Sequence, residues 1–341
     1  MKPAGEDDIL SIVDRHFPRV HPSLLLGRGD DCAVLRPSGP LAVSTDIFVE
    51  DSHFRRRYFT PCDIGFKALA VNLSDIGAAG ARPTGFSIGL TLTGREDAAW
   101  LDAFCEGMAA LSRRFDLCVS GGDLSRSALL NVCITAWGEL PAGLPQGLRR
   151  GVAKEGDLVI LLGDIGLARL GLAVLEQTLS DPDASAAARV KALWPEACSR
   201  HLRPQPLVRE GALLGRFAVE HDAGERLGLM DVSDGLARDL PRLLASPGSG
   251  LGAELFLPEQ SLHSEVRTYA ESRGLDAAAF ALEGGEDYAL ACTCPQALWP
   301  DLRTCLQNAS IRPLVLGQVR KGPFFLNGKL VVMKGFDHFG A

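Results

Sequence analysis

Five short stretches of the chain put aspartates beside Ser, Thr or Gly: Gly29-Asp30-Asp31, Ser44-Thr45-Asp46, Leu73-Ser74-Asp75, Gly121-Gly122-Asp123 and Asp231-Val232-Ser233-Asp234-Gly235. An Asp on a solvated face normally has Lys, Glu or Arg neighbours. Asp75 instead shares its helical face with Ala68, Val71, Asn72, Ala78 and Ala79. If these acids meet in space they need cations, because two carboxylates about 5 Å apart repel by roughly 3 kcal/mol at an effective dielectric of 20. Oxygen donors from Asp, Ser and Thr, without His or Cys at ligand spacing, suit Mg2+, which takes a few carboxylates plus phosphate oxygens and water. Magnesium shared between carboxylates and phosphates implies ATP. The sequence has no GxxxxGK[ST] loop, no GxGxxG after a strand and no HRD or DFG set. A triphosphate would therefore be held through metal bridges, helped by the Gly121 and Gly122 amides. Phosphoryl transfer asks the protein mainly to position reactants and offset charge, so such a cluster is chemically sufficient.

The elements that must carry these residues follow from periodicity. In Asp63–Pro83, Phe66, Leu69, Leu73 and Ile76 recur at helical spacing, so a core helix is expected with Asp75 on its opposite face. Leu41–Val49 reads as a strand holding Asp46, with His53 just beyond it. Gly85–Thr93 alternates like a half-buried strand, and Glu96–Phe115 is a helix with Trp100, Leu101, Phe104, Met108 and Leu111 packed inward. Leu117–Ser120 is expected to be a short strand ending in a Gly121-Gly122-Asp123 turn, followed by a strand at Leu129–Leu140. Helices are expected near Ala186–Arg200 and Leu207–Val219. Asp234 and Gly235 should open another, where an acid can also serve as an N-cap. A Gly-rich turn, Glu283–Asp287, feeds a strand at Tyr288–Thr293, and further strands are expected near Pro313–Val319 and Leu330–Met333. The echo of Ser74-Asp75 in Ser233-Asp234 is too short to define a repeat.

Bulk properties narrow the classes. A chain of 341 residues with 46% hydrophobic content can fill two cores. The Pro-, Gly- and charge-rich stretch 141–156 marks the boundary, giving an N-terminal domain 1–148 and a C-terminal domain 149–341. A net charge of −7 argues against a general nucleic-acid binder. The N-terminus lacks an apolar run, and the most apolar window, Leu158–Leu175, is broken by Asp164, Arg169 and three glycines. A soluble, cytoplasmic protein without a membrane span is expected. Nine scattered cysteines with no CxxC pair fit reduced, mostly buried thiols rather than a disulfide framework.

Eight blocks, taken together and in order, resemble the thiamine-monophosphate kinase family: GDDCAVL at 29–35, VSTDIFVEDSHF at 43–54, KALAVNLSDIGAAGA at 67–81, SGGDLSRS at 120–127, HLRPQP at 201–206, DVSDGLARDL at 231–240, GGEDYAL at 284–290 and KGFDHF at 334–339. They span almost the whole chain. The resemblance implies a mixed α/β (α+β), two-domain fold of the aminoimidazole ribonucleotide synthetase type, whose N-terminal domains pair through their sheets into a homodimer. It implies an N-terminal domain that binds ATP and metal and a C-terminal α/β domain that completes the site. It also implies transfer of the ATP γ-phosphate to thiamine monophosphate. Carried over residue by residue, it makes Asp31, Ser44, Thr45, Asp46, Asp75, Asp123, Asp231 and Asp234 magnesium ligands. Among these, Asp46, Asp75, Asp123 and Asp234 are the catalytic acids. Gly121, Gly122, Asp123, Arg150 and Ser233 would contact ATP, while His53, Glu286 and Phe336 would line the thiamine pocket. A carboxylate and an aromatic face are suitable neighbours for the permanent thiazolium cation.

The chain departs from the family pattern in three places. Asp51 stands where the family usually has Gly in an EGxHF block, which puts the shape of that loop in question. Cys105 stands where relatives often place a Tyr near the adenine, and Phe336 replaces a frequent Tyr or Trp. Two other functions are compatible with the residues: another ATP-dependent enzyme on the same fold, and a dimeric nucleotide-binding scaffold without catalysis.

Overall fold

The structure, a computed structural model, describes residues 5–183 and 185–334. Phe336 lies outside the described residues. Two compact units divide the chain: one runs through Ile76 and resumes at Ala81–Leu140, the other holds Gly77–Gly80 and the chain from Pro141 onward.

In the first unit the order is α1 (Glu6–His16), β1 (Leu24–Leu26), β2 (Val34–Leu35), β3 (Leu41–Val49), α2 (Pro61–Ala78), β4 (Arg82–Leu92), α3 (Ala98–Phe115), β5 (Cys118–Arg126) and β6 (Asn131–Glu139). Its main sheet has the order β3-β6-β4-β5. β6 pairs antiparallel with both β3 and β4, whereas β5 lies parallel to β4. The parallel step needs a crossover, and α3 supplies it. α3 starts on Asp97, whose carboxylate accepts the Trp100 N–H at 2.8 Å, and stops at Asp116 in the left-handed conformation. α2 starts on a reciprocal cap, with the Thr60 N–H donating to Asp63 at 2.9 Å and the Asp63 N–H to the Thr60 hydroxyl at 3.2 Å.

The predicted inner stripe of α2 is buried, with Leu69 and Leu73 fully enclosed. The face assigned to Asp75 is not open, however: Ala68, Val71 and Asn72 are buried too. A helix apolar almost all round is enclosed on every side. Asp75 and Ala78 in its last turn, and Ala79 just after it, are half-exposed.

The second unit contains β7 (Leu158–Leu162), α4 (Leu167–Gln177), α5 (Ala186–Leu193), α6 (Pro195–Leu202), α7 (Val208–Glu220), β8 (Gly228–Val232), α8 (Leu236–Leu244), β9 (Leu251–Leu255), α9 (Ser264–Arg273), α10 (Ala277–Leu282), β10 (Ala289–Cys294), α11 (Trp299–Asn308), β11 (Pro313–Lys321), β12 (Phe324–Leu326) and β13 (Lys329–Val331). The sheet order is β13-β12-β9-β11-β7-β10-β8. Every residue of β8 and β10 is buried, and Ile160, Leu162, Phe217, Leu229 and Leu290 share one core. The helical stretch expected near Ala186–Arg200 is made of two helices. Pro195 opens the second and bars helical geometry at Trp194 (φ −126°, ψ 61°). All nine cysteines are free; five are buried, and Cys32 is exposed. Among the described residues, no helix is long and apolar enough to cross a membrane.

Candidate active site

In the first unit the site is built where β3 lies beside the last turn of α2. Strand alternation puts Ser44 and Asp46 on one face of β3 and Thr45 on the other. The Ser44 hydroxyl donates to the Asp75 carboxylate in a short contact. Burial and then the neighbouring Asp75 charge push the Asp46 carboxyl up to about 6. Thr45 turns to the opposite face, where its hydroxyl meets that of Thr135 at 2.8 Å. The Ser-Thr-Asp triplet is therefore split, and only Ser44 and Asp46 point toward Asp75.

Asp123 lies in the row Ile47, Cys133, Gly89, Asp123 across the four-stranded sheet. Three strand spacings, about 14 Å, separate the ends of that row. The expected Gly121-Gly122-Asp123 turn is instead a bulged continuation of β5. Phe86 pairs with Val119 and Ile88 with Gly122, so Ser120 and Gly121 together oppose Ser87. Asp123 is exposed, and so is Asp31, whose N–H is held by the Asp30 carboxylate at 2.8 Å. Among the described residues, no group of three or more His, Cys, Asp or Glu side chains stands together as a metal site. In the first unit the acids brought together are Asp46 and Asp75, while strand spacing sets Asp123, on β5, at the far side of the sheet from β3. Two acids and a hydroxyl fit magnesium, which usually takes one or two carboxylates and completes its shell with phosphate oxygens and water.

His53 sits in the turn after β3. Its Nδ1 accepts the Val49 N–H at 3.1 Å, and the His53 backbone N–H donates to the Val49 carbonyl at 2.9 Å. Asp51, at the family's Gly position, has φ +65°, so the glycine-like backbone shape is kept with a side chain present. Asp51→Gly is therefore expected to raise stability by about 0.5 kcal/mol, the relief of left-handed strain less the greater chain entropy of Gly. Urea unfolding at pH 7 checks this, and a variant less stable than the parent would show that the Asp51 side chain is itself needed.

In the second unit the antiparallel pairing of β8 and β10 brings two distant motifs side by side. Beyond the strands, the Glu286 N–H donates to the Ser233 carbonyl at 2.7 Å and the Tyr288 N–H to the Val232 carbonyl at 3.0 Å. Glu286 and Tyr288 both have positive φ, 64° and 51°. Such strained non-glycine residues concentrate at functional sites. Asp231 is buried in β8. Asp234 accepts from Arg242 Nη1 at 2.7 Å, and Arg238 Nε lies 3.7 Å away. The fully buried Asp239 accepts the Ser233 and Asp234 N–H groups at 3.0 and 2.9 Å and so fixes the loop. Burial raises its carboxyl to about 6 in spite of those bonds. Asp287 holds the Gly166 and Ala168 N–H groups at 2.6 and 2.9 Å and thereby caps α4. Arg150 is exposed at the start of this unit.

Several of these partners had no role in the sequence reading. Arg242 follows Asp239 by three residues, a spacing that places both on one helical face and was a usable signal. His201, buried in α6, stands with Nδ1 3.0 Å from Glu286. It belongs to the HLRPQP block, but nothing local to either motif pairs them. Cys105 is buried beside a cavity of about 30 Å³ lined by apolar residues including Ile12, Phe86 and Met108. Ser74-Asp75 lies within a helix and Ser233-Asp234 in a loop, so their likeness has no structural counterpart.

Comparison with known proteins places this geometry in a family. Residues 29–140 match the family described as AIR synthase related protein, N-terminal domain. Thiamine-monophosphate kinase of Escherichia coli K12 is 34% identical over 342 residues, covering 97% of this chain and 98% of that protein. The crystal structure of thiamine-monophosphate kinase from Stenotrophomonas maltophilia K279a superposes with a TM-score of 0.78 at 30% identity, covering 96% of this chain and 98% of that one. AaThiL complexed with AMPPCP and TMP matches with a TM-score of 0.68 at 26% identity, over 98% of this chain and 97% of that one. The mixed α/β fold is thus the one these enzymes share, and with identity of this extent over nearly its full length the chain belongs to the thiamine-monophosphate kinase family.

Proposed function

We propose that the protein transfers the γ-phosphoryl group of ATP to the phosphate of thiamine monophosphate, giving thiamine diphosphate and ADP. The bond from the γ-phosphorus to its bridging oxygen breaks, and a bond to an acceptor phosphate oxygen forms. The observation that carries the chemistry is the Asp46–Asp75 pair with Ser44 attached, in a chain of this family. Asp46, Asp75 and Ser44 would hold one magnesium ion, and Asp31, Asp123, Asp231 and Asp234 are the ligands that the family resemblance implies for further ions. Magnesium, when bound, offsets the charge on the transferring phosphoryl group. Gly121, Gly122, Arg150 and Ser233 would contact ATP, and His53, Glu286 and Phe336 the thiamine substrate. The acceptor phosphate is already ionised near neutral pH, so none of these residues has to act as a strong general base.

A cytoplasmic homodimer paired through the first unit's sheet is part of this proposal. Val43 and Ile47, 62% and 60% exposed, alternate with Asp46 on β3, so the face away from the carboxylate pair carries apolar side chains. The deciding experiment incubates the protein with ATP, Mg2+ and thiamine monophosphate and separates the products. Thiamine diphosphate and ADP in equal amounts are expected. ADP formed without thiamine diphosphate would favour another ATP-dependent reaction, and ATP binding without turnover would favour a scaffold.

A further inference from the structure

The turn that presents His53 is held at its base by an ionic brace. Glu50, 6% exposed, accepts from Arg56 Nε at 2.8 Å and from Nη2 at 3.2 Å. The same Nη2 makes a short contact with Glu96, which is 2% exposed. Glu96 in turn accepts from the Thr93 N–H and hydroxyl, each at 2.9 Å, and from the Gly94 N–H at 3.0 Å. Glu50 also accepts from the Leu130 N–H at 3.3 Å and from Arg95 at 3.0 Å. Burial is the largest single influence and opposes ionisation of both glutamates, yet the Arg56 hydrogen bonds and charge, joined by the Leu130 N–H and Arg95 at Glu50 and by Thr93 at Glu96, together hold both carboxyls below their ordinary range. Three segments are thus tied to one guanidinium: the end of β3, the loop before α3 and the loop before β6.

Glu50 lies inside the turn that it anchors. The Asp51 N–H donates to the Phe54 carbonyl at 2.9 Å, closing the turn, while Val49 on its other side orients the imidazole. With Nδ1 accepting from Val49, the neutral ring carries its proton on Nε2. Burying charges in this way is weak evidence for stability, since apolar residues of equal volume often serve better. A planar fork that meets two carboxylates at once does fix geometry, which a lysine cannot reproduce.

We propose that Arg56 is a positioning residue: by bridging Glu50 and Glu96 it fixes the turn that carries His53, and through it sets the affinity for the phosphorylated acceptor. This rests on His53 being a substrate contact, as proposed above. The test compares the parent, Arg56→Lys, His53→Asn and the double variant in full-length protein, varying thiamine monophosphate and ATP separately. Arg56→Lys should raise the KM for thiamine monophosphate about tenfold, a scale set by small displacements of a contact group, and leave kcat and the KM for ATP within about twofold. The double variant should be no worse than His53→Asn alone, because both changes remove one interaction. The 15N signals of His53 should move from the Nε2–H tautomer toward a mixture in Arg56→Lys. An unchanged acceptor KM in Arg56→Lys beside a raised one in His53→Asn would overturn the proposal, as would effects that multiply in the double variant. An unchanged KM in His53→Asn would instead remove His53 from the substrate site. If Arg56→Lys fails to fold, Thr93→Val, which strips one bond from Glu96 without stranding a charge, must still raise the acceptor KM about two- to threefold; no rise would overturn the proposal.

Discussion

Asp46→Asn yields a protein more stable than the parent at pH 7.5 without divalent ions, yet roughly 100- to 1,000-fold slower as a kinase. The stability gain follows from the carboxyl's displacement from 3.8 to about 6. Below about pH 3 the group is protonated in both folded and unfolded chains and makes no difference. Between pH 4 and 6 the folded protein keeps a proton that the unfolded chain has released, so stability falls as pH rises through that window. Each unit is worth about 1.4 kcal/mol, so the loss complete above pH 6 is at most about 3 kcal/mol. Asn abolishes it by removing the charge that burial and Asp75 oppose. Urea unfolding of parent and variant at pH 3 and 7.5 should show curves that coincide at the lower pH and separate at the higher. Mg2+ should then stabilise the parent by mass action and leave the variant almost unmoved. A variant no more stable than the parent at pH 7.5, or one equally stabilised by Mg2+, would mean that the pair is not where the ion binds.

Gly122→Ala is expected to cost about 3 kcal/mol of folding stability and most of the affinity for ATP. A β-carbon there would stand 1.8 Å from the Ile88 carbonyl oxygen and 2.7 Å from its carbon. Both atoms are backbone of the neighbouring strand β4, so no side chain can swing away; β5 must move instead. Asp123, the next residue, would move with it. Gly121 offers the contrast, since its β-carbon would meet nothing within 4 Å and only its φ of +154° disfavours a side chain. Gly121→Ala should therefore cost about 1 kcal/mol, a backbone penalty alone. Thermal melts and calorimetric titration with Mg·ATP separate the two cases. Equal losses in both variants would mean that the bulge as a whole, rather than the close approach at Gly122, is what the strand requires.

Much of the local structure was legible because hydrophobic periodicity reports which side of an element is buried. The inward positions Leu69, Leu73, Leu101, Phe104 and Met108 are all enclosed, as their spacing predicts. The failures have local causes. Ala68, Val71 and Asn72 read as an open face because small and polar side chains are compatible with solvent, yet they are buried by neighbours distant in sequence. The Gly121-Gly122 pair reads as a turn because glycines usually mark turns, yet here they form a bulge within a continuing strand. The division of Ala186–Arg200 was available in Pro195, which apolar spacing alone conceals.

By itself the sequence determined the inventory: which acids exist, that oxygen donors rather than His or Cys would meet a cation, and, through eight ordered motifs, the family. Tertiary structure decided which of those residues meet. Alternation along β3 separates Thr45 from Ser44 and Asp46, and the position of α2 beside that strand gives Asp46 its partner in Asp75. It likewise joined Glu50 and Arg56 to Glu96 and set Arg242 against Asp234. A pattern of periods two and 3.6 fixes only the side on which a residue lies; what stands opposite depends on strand order and helix placement, and these are settled by packing among segments far apart in the chain.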